Sequence, residues 1–168
     1  KEGAAVEHSE FSALYRRWYR PMLLYTRSLT GDLAAAEDLV QNAFAKALLS
    51  YRAGGSVRAW LATVLRNEFL SQKRREKMYA VPLQEAEVAA VPGSDPLEGL
   101  LVQEQQRQVY EAVLALPEAY RETIVQSAVL GLSDAEIAAL RGISQESVRQ
   151  LRHRARVRLK RMLKEEEP

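Results

Sequence analysis

Several features on which enzymes and membrane proteins depend are missing from this chain of 168 residues. It contains no cysteine and only two histidines, His8 and His153, which lie far apart in the sequence. Without cysteine, neither a disulfide framework nor a thiolate metal site can form. There is no Gly-rich loop of the kind that cradles phosphate, and outside the helix face with Glu37 and Asp38 we find no constellation of paired carboxylates that would form a catalytic site. We therefore expect no enzyme activity, no metal and no cofactor.

Long apolar runs are absent as well. None approaches the ~20 residues that a membrane-spanning helix needs, and the N-terminal stretch KEGAAVEHSE lacks the apolar core of a signal peptide. Hydrophobic residues still make up 47% of the chain, which is enough to bury a core. We expect a cytoplasmic protein with one ordinary domain or two small ones.

The net charge of +2 is the sum of unevenly distributed charges. Residues 1–80 contain 13 basic and 8 acidic residues, residues 81–104 contain 5 acidic and no basic residues, and residues 105–168 contain 11 basic and 9 acidic residues. Two basic segments thus flank an acidic one. This asymmetry points to contact between the two ends of the chain and a polyanion.

Apolar residues recur at steps of three and four, which is the spacing of an amphipathic helix, and no segment alternates for long as a strand would. We predict an all-α protein with two small helical domains. The first domain, 1–78, would contain a helix in 11–30 with a kink or restart at Pro21, a second helix over 33–50, and a third helix over 57–78 with a basic end.

The segment 79–97, YAVPLQEAEVAAVPGSDPL, contains three prolines and has no clear period, which indicates a flexible acidic linker. The second domain would span 98–168 and begin with a helix over roughly 98–115. Pro117 and Gly131 are typical of the start and the end of the next helix. Because the linker has few large apolar residues, we expect the two domains to move relative to each other in the free protein.

The last part of the chain has the sequence form of a helix-turn-helix. Ser133 and Glu136 fit a capping box for a short helix, Gly142 and Ile143 fit the turn, and Ser144 can cap a longer helix. The apolar stripe of the longer helix leaves its polar residues facing outward, and the start of such a helix enters the major groove of DNA. Arginine suits guanine and phosphate, and glutamine suits adenine. The predicted DNA-binding residues are Gln145, Glu146, Arg149, Gln150, Arg152, His153, Arg154 and Arg156.

Three stretches of the chain resemble, in the same order, the extracytoplasmic-function (ECF) sigma factors of bacterial RNA polymerase. They are AAAEDLVQNAFAKAL, SVRAWLATVLRNEFLSQKRR and LALPEAYRETIVQSAVLGLSDAEIAALRGISQESVRQLRHRAR. The resemblance implies that sigma region 2 and sigma region 4 form the two domains. It also implies a transcription initiation factor that binds core RNA polymerase and directs it to specific promoters.

The resemblance assigns roles to the first domain. The second helix of such proteins docks on the clamp coiled coil of core RNA polymerase, and an acidic helix face suits an arginine-rich partner. The matching residues are Glu37, Asp38, Gln41 and Asn42, with Phe44 on the core side. The third helix would meet the promoter element near the start site as it melts, through Arg66, Asn67, Lys73, Arg74 and Arg75. Trp60 also lies there, but its place in the apolar stripe favours a core position.

The partners that the resemblance implies are the polymerase, at its clamp coiled coil and its flap, promoter DNA and an anti-sigma factor. The chain departs from the family pattern at Ser71, at Glu146-Ser147-Val148 and at Leu151-Arg152, and these departures leave the promoter sequence open. Glu146 would repel phosphate or accept from a cytosine amino group.

The departures also raise a second hypothesis, a sigma-like decoy that sequesters an anti-sigma factor without binding a promoter. A simple helix-turn-helix repressor would not explain the motifs of the first domain. A helical scaffold that only binds other proteins would not explain the basic final helix.

Overall fold

The computed structural model describes residues 8–51, 55–79 and 103–165. The described residues form helices and no strand, which confirms the all-α prediction. None of these helices combines the length and the apolar character that crossing a bilayer requires. The elements are α1 (His8–Thr30), α2 (Leu33–Ser50), α3 (Val57–Tyr79), α4 (Glu104–Leu114), α5 (Glu118–Ile124), a π-helical turn (Val125–Val129), α6 (Asp134–Arg141) and α7 (Gln145–Glu165).

Local signals account for several helix boundaries. Gly31 has a φ of 73°, which side chains other than glycine seldom adopt, and it ends α1. Asp32 then caps α2, because its carboxylate accepts from the Ala35 N–H at 3.0 Å. Ser133 and Glu136 form the predicted capping box at the start of α6, with each side chain accepting from the backbone N–H of the other.

Of the kink or restart predicted at Pro21, the restart does not occur, because the first helix continues through this residue. Proline removes one donor from the hydrogen-bond ladder of the helix. The side chains of Met22, Leu23 and Tyr25 are buried directly after it. Their packing compensates for the missing bond and keeps α1 in one piece.

The first unit, α1 to α3, is built around an aromatic cluster. Phe44 is 2% exposed, and the rings of Phe11, Tyr15 and Tyr19 surround it with centroid distances between 4.9 and 6.5 Å. Trp60 packs edge-on against another aromatic ring, that of Tyr51, at 5.6 Å, and it is partly buried against the core. It occupies the core position that the sequence favours.

The second unit, α4 to α7, contains the helix-turn-helix. Gly142 makes the turn with a φ of 66°, and Ile137, Val148 and Ala155 are fully buried where α6 and α7 meet. The helix predicted between Pro117 and Gly131 consists of α5 followed by a π-helical turn, which the sequence pattern does not distinguish from a regular helix.

The two units pack against each other. Of the predicted linker 79–97, Tyr79 is the last residue of α3, and the remainder lies outside the described residues. Helix α1 contacts α5 and the π-helical turn, α3 contacts α6, and most of the buried apolar residues of both units form one continuous cluster. The prediction that the domains move relative to each other rests on the composition of the linker alone. In the structure, helix faces of the two units are in contact.

Candidate partner and nucleic-acid interfaces

Helix α2 presents a polar face opposite its buried one. Leu39, Val40 and Ala43 are buried against the first unit, which leaves the predicted partner residues on the outside. These exposed residues are Glu37, Asp38, Gln41 and Asn42. Phe44, by contrast, is too deeply buried to contact a partner, so it shapes this surface from within the core.

The start of α7 is held in place by a serine cap. The Ser144 hydroxyl accepts from the Ser147 N–H at 3.1 Å, and Val148 anchors the first turn in the core. Most of the predicted DNA-binding residues consequently lie together on the exposed side of α7: Gln145, Glu146, Arg149, Gln150, His153, Arg154 and Arg156. The structure therefore places them on one outward surface.

Two arginines of α7 have acidic partners within the second unit. Arg149 donates from Nη2 to Glu146 Oε2 at 2.9 Å, and both side chains are more than half exposed. A pair of this kind contributes little and can exchange for a ligand. Glu146, one of the departures from the family pattern, is thus paired with Arg149, another of the predicted DNA-binding residues.

Arg152 differs from the other predicted DNA contacts because it is only 23% exposed. It contacts both carboxylate oxygens of Asp134, with Nη2 at 3.2 Å from Oδ2. The hydrogen bonds from Arg152 lower the pKa of Asp134 below its usual range. This bidentate pair links the start of α6 to α7, so Arg152 holds the helix-turn-helix together more than it faces a ligand.

The end of α3 carries the second group of predicted DNA contacts. Asn67, Lys73, Arg74 and Arg75 are exposed. Arg74 donates to the hydroxyl of Ser71, one of the departures from the family pattern, at 3.2 Å. The ammonium of Lys73 lies 5.1 Å from the centre of the Phe69 ring.

Arg66 is separated from that group, because it faces the second unit. Its Nε donates to Glu122 Oε1 at 2.7 Å, and Arg141 Nε lies 3.6 Å from the other oxygen of the same carboxylate. Gln126 also donates to Glu122 Oε1 at 3.0 Å and to the Tyr25 hydroxyl at 3.1 Å. Burial raises the pKa of Tyr25 well above its ordinary value, so this hydroxyl stays neutral.

Sequence reasoning missed this buried polar cluster. Glu122 and Gln126 lie four residues apart on the inward side of α5 and the π-helical turn. The available signal was a charged and an amide side chain, four residues apart, on the same side of a helix as the apolar residues after Arg121, because buried polar groups need partners.

Both units match known sequence families. The profile described as Sigma-70 region 2 matches residues 14–78, and the profile described as Sigma-70, region 4 matches residues 106–159. The RNA polymerase sigma factor YlaC of Bacillus subtilis is 31% identical over 156 residues, which cover 88% of this chain and 88% of YlaC. The ECF RNA polymerase sigma factor SigL of Mycobacterium tuberculosis is 29% identical over 156 residues, which cover 90% of this chain and 88% of SigL.

Two solved structures have a similar fold. One is the sigma factor RpoE of Bartonella quintana, solved in complex with the anti-sigma factor NepR. It has a TM-score of 0.66 and is 28% identical to this chain, and the alignment covers 95% of this chain and 99% of RpoE. The other is CnrH, solved with the cytosolic domain of CnrY, which has a TM-score of 0.63 and is 22% identical. The alignment covers 96% of this chain and 92% of CnrH, and it shows that the two proteins share a fold. Two sigma profiles in the expected order, together with a relative aligned over most of both chains, show that this chain belongs to the ECF sigma factors of bacterial RNA polymerase.

Proposed function

We propose that this sigma factor docks on core RNA polymerase through the exposed face of α2 and presents α7 and the end of α3 to promoter DNA. As a member of its family, the chain is a transcription initiation factor that directs the polymerase to promoters. Binding to core polymerase and recognition of promoter DNA are proposed to use separate surfaces of the protein.

The observation that carries the proposal is the opposite charge of two exposed helix faces. Helix α2 offers carboxylates at Glu37 and Asp38, which would attract a basic helix of the polymerase and speed its encounter with the sigma factor. Helix α7 offers guanidinium groups, which attract the phosphates of DNA. The two partners can therefore bind at the same time on separate surfaces.

Within α7, the first two turns and the later turns are proposed to act differently. Arg149 and Gln150 lie where a recognition helix reaches base edges, and both are exposed. Arg154 and Arg156 lie further along and would meet phosphates. Asn67 and Arg74, seven residues apart and so on the same side of α3, would hold a melted strand, since an amide can pair with a base edge and a cation with a phosphate.

An anti-sigma factor is also proposed as a partner, and a cytoplasmic location follows from the need to meet polymerase and DNA. Support comes from RpoE of Bartonella quintana, which is 28% identical to this chain and was solved with its anti-sigma factor NepR. The decoy hypothesis is not favoured, because the relatives are named as sigma factors and the basic residues of α7 remain exposed.

The test is run-off transcription with purified core RNA polymerase, the full chain and a set of candidate promoters. We expect transcripts from a subset of these promoters that core polymerase alone does not produce. Core binding without transcription from any promoter, combined with tight binding of an anti-sigma factor, would instead support the decoy.

A further inference from the structure

Glu122 is nearly inaccessible in this structure, although it is a carboxylate. Its side chain is 8% exposed, and that of Arg66, which reaches it from the other unit, is 20% exposed. A buried carboxylate is tolerated only with cationic and hydrogen-bonding partners. The contact between these two residues is therefore a specific connection between α5 and α3.

Glu122 keeps one cationic partner even without Arg66. Arg141 of α6 belongs to the same unit as Glu122 and lies 3.6 Å from its second oxygen. Separation of the two units would expose the carboxylate to water while Arg141 remained beside it. The free-energy cost of separating Arg66 from Glu122 is therefore limited, which allows the contact to be reversible.

Other contacts between the units accompany this ion pair. The Tyr110 hydroxyl donates to the Leu24 carbonyl at 2.7 Å, and Arg58 lies 3.9 Å from Glu136. One hydrogen-bond acceptor in the same region is unpaired: Gln126 Oε1 is buried and has no hydrogen-bond partner among the described residues. A buried unpaired acceptor favours separation, since water would satisfy it.

We propose that Arg66 and Glu122 form a latch that holds the two units of the free protein together and withholds Arg66 from DNA. This inference rests on the proposed function, in which the end of α3 is presented to promoter DNA, and on the family resemblance, which places Arg66 among the residues that meet the melting promoter. Promoter DNA and Glu122 are then competitors for the same guanidinium group. The exposed candidates on α3 and α7 can contact DNA in the closed arrangement, whereas Arg66 becomes available only when the latch opens.

The first test measures the separation of the units without DNA or polymerase. Because the chain has no cysteine, dyes can be attached at Ala13→Cys and Ala139→Cys, two exposed positions on different units. We expect efficient energy transfer in the parent protein and lower transfer in both Glu122→Gln and Arg66→Gln. Arg66→Gln leaves the contact between Glu122 and Arg141 intact, so it remains informative if Glu122→Gln does not fold.

The second test measures binding of the full chain to a DNA duplex that contains an unpaired bubble. Glu122→Gln should bind at least fivefold more tightly than the parent, because about fivefold corresponds to an exposed ion pair at the upper end of its usual range and this pair is more buried. Glu118→Gln is the matched control, because it removes the same charge from an exposed site on the same helix and should change neither transfer nor affinity.

Unchanged energy transfer in both latch variants would overturn the latch. Lower transfer with a DNA affinity equal to that of Glu118→Gln would overturn the competition between Glu122 and DNA. Failure of the proposed function has a different signature, since run-off transcription would then yield no promoter-specific transcript whatever the distance between the dyes.

Discussion

Helices α2 and α7 each bury one face and expose the other, yet their exposed charges have different consequences for the helix itself. Helix α2 contains two acidic residues, Glu37 and Asp38, and one basic residue, Lys46. Lys46 is paired with Glu68 of α3, and neither acidic residue has a like charge four residues away in α2, so repulsion between such neighbours is absent. The charges of α2 therefore do not by themselves require a partner.

Helix α7 contains eight basic residues and only two acidic ones. Arg154 and Arg158, Arg156 and Lys160, and Lys160 and Lys164 are like charges four residues apart, which repel each other on a helix surface. Repulsion of this kind is relieved by a polyanion. The contrast shows that the charges of α7 are an independent indication of nucleic acid, whereas the charges of α2 gain their meaning from the family.

Reversal of one charge on α2 should have the largest effect, because it changes the surface that is proposed to bind core polymerase. Asp38→Lys should weaken binding to core polymerase by about 3 kcal/mol, because like charges placed together across an interface cost several kcal/mol. Fluorescence anisotropy with labelled sigma factor measures this affinity, and circular dichroism checks that the variant is folded. Glu76→Lys, the same reversal at an exposed site on α3, is the control. Equal affinity for a folded Asp38→Lys protein would show that α2 docks elsewhere or not at all.

Removal of Arg149 should affect the base-reading part of α7. Arg149→Ala should cost roughly 1–3 kcal/mol on the preferred promoter and relax the preference at one base position. Binding of the polymerase holoenzyme to a set of promoters that differ at single positions measures both effects. An equal loss for every sequence would make Arg149 a phosphate contact, and base reading would then lie with Gln145, Gln150 or His153.

Much of the fold could be predicted from local signals. The bounds of α2 agree with the prediction because Asp32 caps its start and the apolar period is regular to its end. Helix α1 and the π-helical turn were harder, since packing around Met22 overrides the local effect of Pro21 and no residue pattern marks a π-helical turn. Helical periodicity also identifies which face of α7 is buried, and Val148 and Ala155 are buried as expected.

The candidate surfaces were predictable only where a side chain faces solvent. Arg66 and Arg152 have the residue type expected for DNA contact, but acidic partners distant in the sequence hold both of them. Such partners follow from tertiary packing, and a helical pattern gives no information about which residue of another helix will face a given arginine. The contact between the units was missed for the same reason.

A smaller effect should distinguish the later turns of α7 from its first turns. Arg156→Ala should weaken binding to all sequences alike and reduce the slope of log affinity against log salt concentration by about 1, because one phosphate contact is lost. Titrations of specific and random-sequence DNA at several salt concentrations provide the measurement. A changed base preference with an unaltered salt slope would contradict the assignment of Arg156 to phosphate.

The smallest expected effect concerns the arginine of α7 that is bound within its own unit. Arg152 lowers the pKa of Asp134, so the folded form binds a proton on this carboxylate less readily than the unfolded chain does. The stabilisation is therefore fully present above the ordinary pKa of aspartate and is lost as the pH falls through the lowered value. At neutral pH, Asp134→Asn should reduce the free energy of unfolding by about 0.2–1 kcal/mol, the range for partly exposed ion pairs.

Urea denaturation of the parent and of Asp134→Asn, repeated from neutral to acidic pH, measures this difference. We expect the two free energies of unfolding to converge in acid, because protonated Asp134 no longer holds Arg152 as an ion pair. Glu118→Gln, an exposed change in the same unit, controls for the general effect of removing a negative charge. A difference that stays constant over the whole pH range would mean that Asp134 stabilises α6 without its charge. Arg152 would then be free to join the DNA-binding surface of α7.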